Sequence, residues 1–181
     1  PYADQVRPES RDVIRTLSNR GVKHTVMLTG DNGVIASAVA ARLGIEQFFS
    51  DALPADKAQI VQDFQSRGRV VAMVGDGIND SPALAFADIG IAMKEGAEVA
   101  RESADIVLME DNLWKLMTAI DIARDAMGLM RQNLAIIATL NTLALALTIP
   151  PGLVTPNFSA LISNGSAILA SVNAVRPILD Y

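Results

Sequence analysis

The residues best placed to do chemistry are Asp76 and Asp80. They lie in the stretch Val70-Val71-Ala72-Met73-Val74-Gly75-Asp76-Gly77-Ile78-Asn79-Asp80-Ser81-Pro82-Ala83-Leu84. Five apolar residues run into a Gly-Asp-Gly turn, and a helix-compatible segment follows. An apolar run bounded by turn residues reads as a buried strand of a parallel sheet. In open α/β sheets, ligands bind just outside the carboxyl ends of such strands. Two carboxylates with no Lys or Arg between them suit a hard cation such as Mg2+, which takes oxygen ligands. Gly75 and Gly77 let the backbone turn sharply and approach a ligand closely. The same residues also suit a turn whose Asp and Asn side chains only cap the next helix.

The elements that must position these carboxylates follow from the rest of the chain. Residues 7–20 carry Val13, Ile14 and Leu17 at helical spacing, and Gly21 suits the helix end. Residues 22–28 read as a strand that ends in Thr29-Gly30-Asp31-Asn32. A helix over 33–43 follows, closed by Gly44. Residues 48–53 suit a short strand. Pro54-Ala55-Asp56-Lys57 opens a helix that runs to Arg67 and stops at Gly68. After the strand 70–74 come a short helix 82–86, a strand 89–93, a short helix 97–103 and a strand 106–109. Strands alternating with helices imply βαβ crossovers, a parallel sheet and an α/β class. A long helix spans 113–131.

Charge is distributed unevenly. The net charge of -5 argues against a nucleic-acid partner, and the absence of Cys removes disulfides and thiolate metal sites. Of 15 Lys and Arg residues, 14 precede Asn133; of 20 Asp and Glu residues, 19 do. Residues 134–149 and 158–175 hold no charge, and each is near the length that spans hydrocarbon at ~1.5 Å per residue. Pro150-Pro151-Gly152 and Thr155-Pro156-Asn157 connect them. Arg124 and Arg131 precede the first stretch and Arg176 follows the second, so the positive-inside tendency puts both outer ends in the cytoplasm. A buried helical hairpin of a soluble protein is the alternative. The opening Pro1-Tyr2-Ala3-Asp4 has neither Met nor a signal-peptide pattern, which leads to the expectation of a cut within a longer protein.

Taken together, Thr29-Gly30-Asp31-Asn32, Lys57 and Gly75-Asp76-Gly77-Ile78-Asn79-Asp80-Ser81-Pro82 resemble the second half of the phosphorylation domain of P-type ATPases. That domain belongs to the haloacid-dehalogenase-like superfamily. The resemblance covers roughly residues 1–131. A single transmembrane pair after the domain resembles the heavy-metal, or type IB, branch. The implied architecture is a partial Rossmann-like α/β domain with a parallel sheet, followed by a two-helix transmembrane hairpin. Residues 1–112 would be part of the phosphorylation domain, 113–132 a linking helix and 133–179 the hairpin.

The resemblance also implies roles. Asp76 matches the Mg2+-ligating carboxylate, and Asp80 supports that metal site. Lys57 matches the lysine that neutralises phosphoryl charge, and Thr29 the hydroxyl that binds a phosphoryl oxygen; a solvated lysine at a helix start is the alternative for Lys57, and an N-cap the alternative for Thr29. Gly30 can donate its amide, and Asp31 and Asn79 match further polar positions around the phosphate. ATP is the implied substrate and Mg2+ the cofactor. The implied location is a cell membrane crossed more than once, with the α/β domain cytoplasmic.

The sequence departs from the family pattern in one large respect. It contains no Asp-Lys-Thr-Gly-Thr, the segment that carries the family's phosphorylated Asp. Nor does it contain the nucleotide-binding domain, the Thr-Gly-Glu loop or the Cys-Pro pair. The expectation is therefore the C-terminal portion of an ATP-driven metal-cation transporter, inactive alone and partnered by a missing N-terminal portion of the same pump. A membrane-anchored phosphatase of the same superfamily or a non-catalytic pump remnant is the alternative. For the transported cation, the polar residues Asn141, Ser163 and Asn164 are candidates, because polar groups within hydrocarbon are expensive. Asn164 stands where an acidic residue marks some divalent-cation pumps, so the resemblance leaves the ion open.

Overall fold

The computed structural model describes residues 6–149 and 155–179. The starting residues Pro1-Tyr2-Ala3-Asp4 and the turn Pro150-Pro151-Gly152 lie outside the described residues. The chain forms two compact units, one reaching Thr118 and one starting at Ala119.

In the first unit, α1 (Ser10–Asn19) leads to β1 (Val26–Leu28), α2 (Gly33–Leu43) and β2 (Gln47–Phe49). Helix α3 (Pro54–Ser66) then leads to β3 (Ala72–Gly75), a 3-10 turn (Ile78–Asp80) and α4 (Ser81–Phe86). Strand β4 (Ile89–Ala92), α5 (Glu98–Glu102) and β5 (Ile106–Val107) complete the series. All pairings are parallel, as the alternation of strands and helices requires. The strands form two ladders, β1–β2 and β3–β4–β5, rather than one sheet. Each ladder joins strands that follow one another through a helical crossover. Among the described residues, no strand pairs with the second edge of β1 or of β3.

The strands are also shorter than their apolar runs. Strand β1 starts at Val26 and not at residue 22, because its ladder ends where β2 does, with Val26 opposite Gln47 and Leu28 opposite Phe49. Strand β2 stops at Phe49 because Asp51 turns into the left-handed region at φ 51. Val70, expected to open β3, is 82 % exposed. The core lies where α3 packs on α4 and α4 on β4. Val61 and Leu84 are almost fully buried there, beside Ala58, Ala83, Ile91 and Ala92.

The two ends of this unit are tied across 104 residues. Arg7 forms an ion pair with Asp111 at 2.7 Å, and Nη1 of Arg7 also donates to the Asp111 carbonyl. The Leu113 N–H donates to the Glu9 carboxylate. The hydrogen bond from Arg7 holds the Asp111 carboxyl below its ordinary value of 3.8. A carboxyl depressed in the folded state adds stability above its unfolded pKa and loses it as the pH falls through the folded pKa. We therefore predict that Asp111→Asn melts earlier than the wild type at neutral pH. The difference should shrink only as the pH drops below about 4. Thermal melting across pH 2 to 7 checks this, and a difference that does not change with pH would remove the ion pair as its cause.

Helix α6 (Lys115–Thr148) is continuous over 34 residues, so one helix covers what the sequence divides into a linking helix and a first uncharged stretch. Helix α7 (Pro156–Leu179) follows. Among the described residues, one helix is long and apolar enough to cross a membrane, at Asn157–Arg176 with mean hydropathy 1.4. Within the second unit, Asn173 donates to Asn133 at 2.8 Å and Ser166 reaches Asn141 at 3.4 Å. The partner number rises as the other falls, so α6 and α7 run antiparallel there.

Candidate active site

The turns at the carboxyl ends of β1 and β3 and the first turn of α3 carry the residues of the first unit singled out by sequence. After β1, the Thr29-Gly30-Asp31 turn is held by the turn that follows β2. Thr29 N–H donates to the Phe49 carbonyl, Ala52 N–H to the Thr29 carbonyl and Asp51 N–H to the Asp31 carbonyl. Within the turn, the Thr29 hydroxyl donates to the Asp31 carboxylate at 3.0 Å and accepts from the Asp31 N–H at 3.1 Å. Thr29 is not the cap of α2. Asn32 does that work, its Oδ1 accepting from the N–H groups of Val34 and Ile35, both at 3.1 Å. Gly30 and Asp31 are exposed at the strand end.

Lys57 enters from the first turn of α3. Pro54 fixes the start of that helix, and the Asp56 carboxylate accepts from the Leu53 N–H at 2.9 Å. This start aims Lys57 inward, where it is 7 % exposed. A surface lysine at a helix start would stay solvated; this one has its ammonium on Asp80 Oδ1 at 2.7 Å. Both side chains are largely buried, at 9 % and 14 % exposure, and charge pairing is what makes such burial tolerable.

Asp80 ends the 3-10 turn after β3. Its second oxygen accepts from the Gly77 N–H at 3.3 Å. Gly75 leaves room for it: a Cβ at that position would lie 2.7 Å from the Asp80 Cβ. Both oxygens of Asp80 are thus engaged by protein groups, whereas the Asp76 carboxylate is exposed at the strand end. Asn79, in the same turn, is exposed. Asp76 also contributes to the raised pKa of Arg7, after the larger effect of the Arg7 hydrogen bond to Asp111. Among the described residues, no three His, Cys, Asp or Glu side chains gather to hold a metal. The donor set nevertheless fits Mg2+ in kind, with the exposed carboxylate of Asp76 as a hard oxygen ligand and Asp80, in the same turn, fixed by Lys57.

The polar residues of the second unit separate into two sets. Asn141, Ser163 and Asn164 are exposed. Ser166, which is not among the ion-path candidates, is 1 % exposed and donates to the Ser163 carbonyl at 2.6 Å and toward Asn141. The Asn173 amide donates to Asn133 and toward Gln132. A usable signal was present: Ser166, Ala170 and Asn173 share one face of α7 at helical spacing. For Arg7 and Asp111, 104 residues apart, no local pattern could have given the pairing.

Known proteins are similar to this chain over most of its length. A family model described as haloacid dehalogenase-like hydrolase matches residues 1–88. The zinc-exporting P-type ATPase of Mycobacterium marinum is 43 % identical over 176 residues, which is 97 % of this chain and 24 % of that protein. The copper-exporting P-type ATPase of Vibrio cholerae is 45 % identical over 161 residues, 89 % of this chain and 17 % of that protein. The cadmium-transporting ATPase of Staphylococcus aureus is 40 % identical over 175 residues, 96 % of this chain and 24 % of that protein. Among solved structures, a zinc-transporting PIB-type ATPase in its E2.Pi state superposes with a TM-score of 0.87 at 39 % identity. That match covers 96 % of this chain and 28 % of the solved one. The chain thus spans about a quarter of the length of the relatives it matches.

Proposed function

Because the chain belongs to the heavy-metal P-type ATPase family, we propose that it supplies one side of a phosphoryl-transfer site and two membrane helices of an ATP-driven metal-cation transporter. The observation that carries this reading is the buried Lys57–Asp80 pair, with Asp80 in the same turn after β3 as the exposed Asp76. Phosphoryl transfer needs positioning and charge neutralisation more than covalent work. Lys57 places positive charge where charge develops on the transferring group. The Thr29 hydroxyl and the Gly30 amide bind phosphoryl oxygens, with Asp31 orienting Thr29 through their 3.0 Å hydrogen bond. Asn79 adds a polar contact on the other side. Asp76 would hold Mg2+ with Asp80 supporting the site, and the bound ion would add neutralisation of phosphate charge.

The phosphorylated aspartate comes from another part of the same pump. Its strand fits between β1 and β3, whose second edges are open among the described residues and whose residues, Gly75 apart, are not fully buried. A central strand of a parallel sheet is normally covered on both sides. On this reading the chain alone does not hydrolyse ATP. Helices α6 and α7 cross the membrane as an antiparallel pair, with the α/β unit cytoplasmic, in keeping with Arg124, Arg131 and Arg176 at the outer ends. Asn164, Ser163 and Asn141 are the candidates for the ion path. Their oxygen donors favour a divalent cation such as Mn2+ or Zn2+ over Cu(I).

The test is phosphoenzyme formation from labelled ATP by the purified full-length protein, with hydrolysis measured across Cu(I), Zn2+, Mn2+ and Co2+. We expect an acid-stable phosphoenzyme and stimulation by Zn2+ or Mn2+, and neither from the 181-residue chain by itself. Stimulation by Cu(I) alone would overturn the ion preference. Absence of a phosphoenzyme under all ions would overturn the transporter.

A further inference from the structure

The ladder between β3 and β4 ends at Gly75, opposite Ala92, one residue before the Asp76 carboxylate. Strand pairing therefore does not fix Asp76. The loop after β4 does. Met93 N–H donates to the Gly75 carbonyl at 3.2 Å, and Ala97 N–H donates to the Asp76 carbonyl at 2.8 Å. Gly96 closes the loop by donating its N–H to the Met93 carbonyl at 3.0 Å.

Gly96 lies against the Asp76 backbone with no room to spare. A Cβ there would sit 2.9 Å from the Asp76 carbonyl oxygen, 2.9 Å from the Met93 carbonyl oxygen and 3.2 Å from the Asp76 Cα. These are backbone atoms, so no side chain can swing aside. Gly96 does not adopt a positive φ. Glycine is required here for space and not for conformation. We infer that Gly96 is a positioning residue for the Asp76 carboxylate, setting its place through the 93–97 loop.

The inference rests on the reading of Asp76 as the Mg2+ ligand. Mg2+ demands near-ideal octahedral geometry, so a ligand displaced by a few tenths of an ångström binds it less well. Lys57, Thr29 and Gly30 make no contact with this loop through the bonds described, so their contribution should survive.

The experiment compares Gly96→Ala with the wild type in the full-length pump. Gly128→Ala serves as the control, because a Cβ at Gly128 meets nothing within 4 Å. Two readouts are taken: the Mg2+ concentration that half-saturates phosphoenzyme formation, and Mn2+ binding without nucleotide, counted by electron paramagnetic resonance as the difference from Asp76→Asn. We expect Gly96→Ala to weaken both by about 10–100-fold, the range for lost support of a metal ligand, with the concentration of ATP needed unchanged. Ala97→Pro covers the case in which Gly96→Ala fails to fold. It removes only the N–H that holds the Asp76 carbonyl, at a residue whose φ of -54 suits proline. It should shift the same two readouts. A folded Gly96→Ala or Ala97→Pro with wild-type metal dependence, while Asp76→Asn abolishes the Mn2+ signal, overturns the inference and leaves the functional reading standing. Unchanged Mn2+ binding in Asp76→Asn overturns both.

Discussion

Asp76→Asn in the full-length pump should lower phosphoenzyme formation by at least about 10³-fold, from ATP and from inorganic phosphate alike. A bound Mg2+ contributes several kcal/mol of stabilisation to a transferring phosphoryl group, and each ~1.4 kcal/mol is tenfold in rate. Asn keeps the size and one oxygen of the side chain but loses the charge that a hard cation needs. Because Asp76 is exposed and makes no buried ion pair, the substitution should leave the thermal melting of the protein unchanged within about 0.5 kcal/mol. Rate and stability are therefore separable at this position. Rapid-quench measurement of the phosphoenzyme over a Mg2+ series decides the matter. A variant that reaches wild-type phosphoenzyme levels at ordinary Mg2+ concentrations would remove Asp76 from the metal site.

Lys57 should behave in the opposite way, because its two roles are entangled. Lys57→Ala leaves the Asp80 carboxylate largely buried without its partner, and breaking such a pair by removing one member costs about 3–5 kcal/mol. It also removes positive charge from the transferring group, a loss on the order of 10²–10³ in rate by comparison with other preorganised donors. The double variant Lys57→Met with Asp80→Asn tells these apart. It replaces a buried charge pair by neutral groups of similar volume, and the amide oxygen introduced by Asp80→Asn can still accept the Gly77 N–H. We predict that the double variant recovers most of the melting temperature lost by Lys57→Ala and none of the phosphorylation rate. Recovery of both would reduce Lys57 to a structural residue. Recovery of neither would mean that the pair does not account for the loss of stability.

The order of elements was legible in the sequence because its causes are local. Gly at helix ends and Pro54 at the start of α3 act within a few residues and fall where the structure ends or begins an element, whereas the apolar runs locate the strands but overrun their ends. The uncharged stretches were equally plain, because composition alone sets them apart. The motif residues Thr29, Lys57 and Asp76 could be picked out by spacing and resemblance for the same reason. Their relations could not. Thr29 reads equally well as a cap or as a ligand until the structure gives the cap to Asn32. Lys57 reads as a surface residue until α3 turns it onto Asp80, 23 positions away.

Tertiary structure decided whatever depends on a partner distant in the chain. It limited β1 to three residues by the length of β2, and it left the strands in two ladders because no described strand pairs with both β1 and β3. It tied Arg7 to Asp111 and brought Gly96 against the backbone of Asp76, contacts that leave no mark on local periodicity. In α7 it buried Ser166 and left Asn164 exposed, although both are polar residues of one apolar helix two positions apart. A helix turns about 100° per residue, so positions two apart lie on opposite sides, and only the packing partner determines which side is covered.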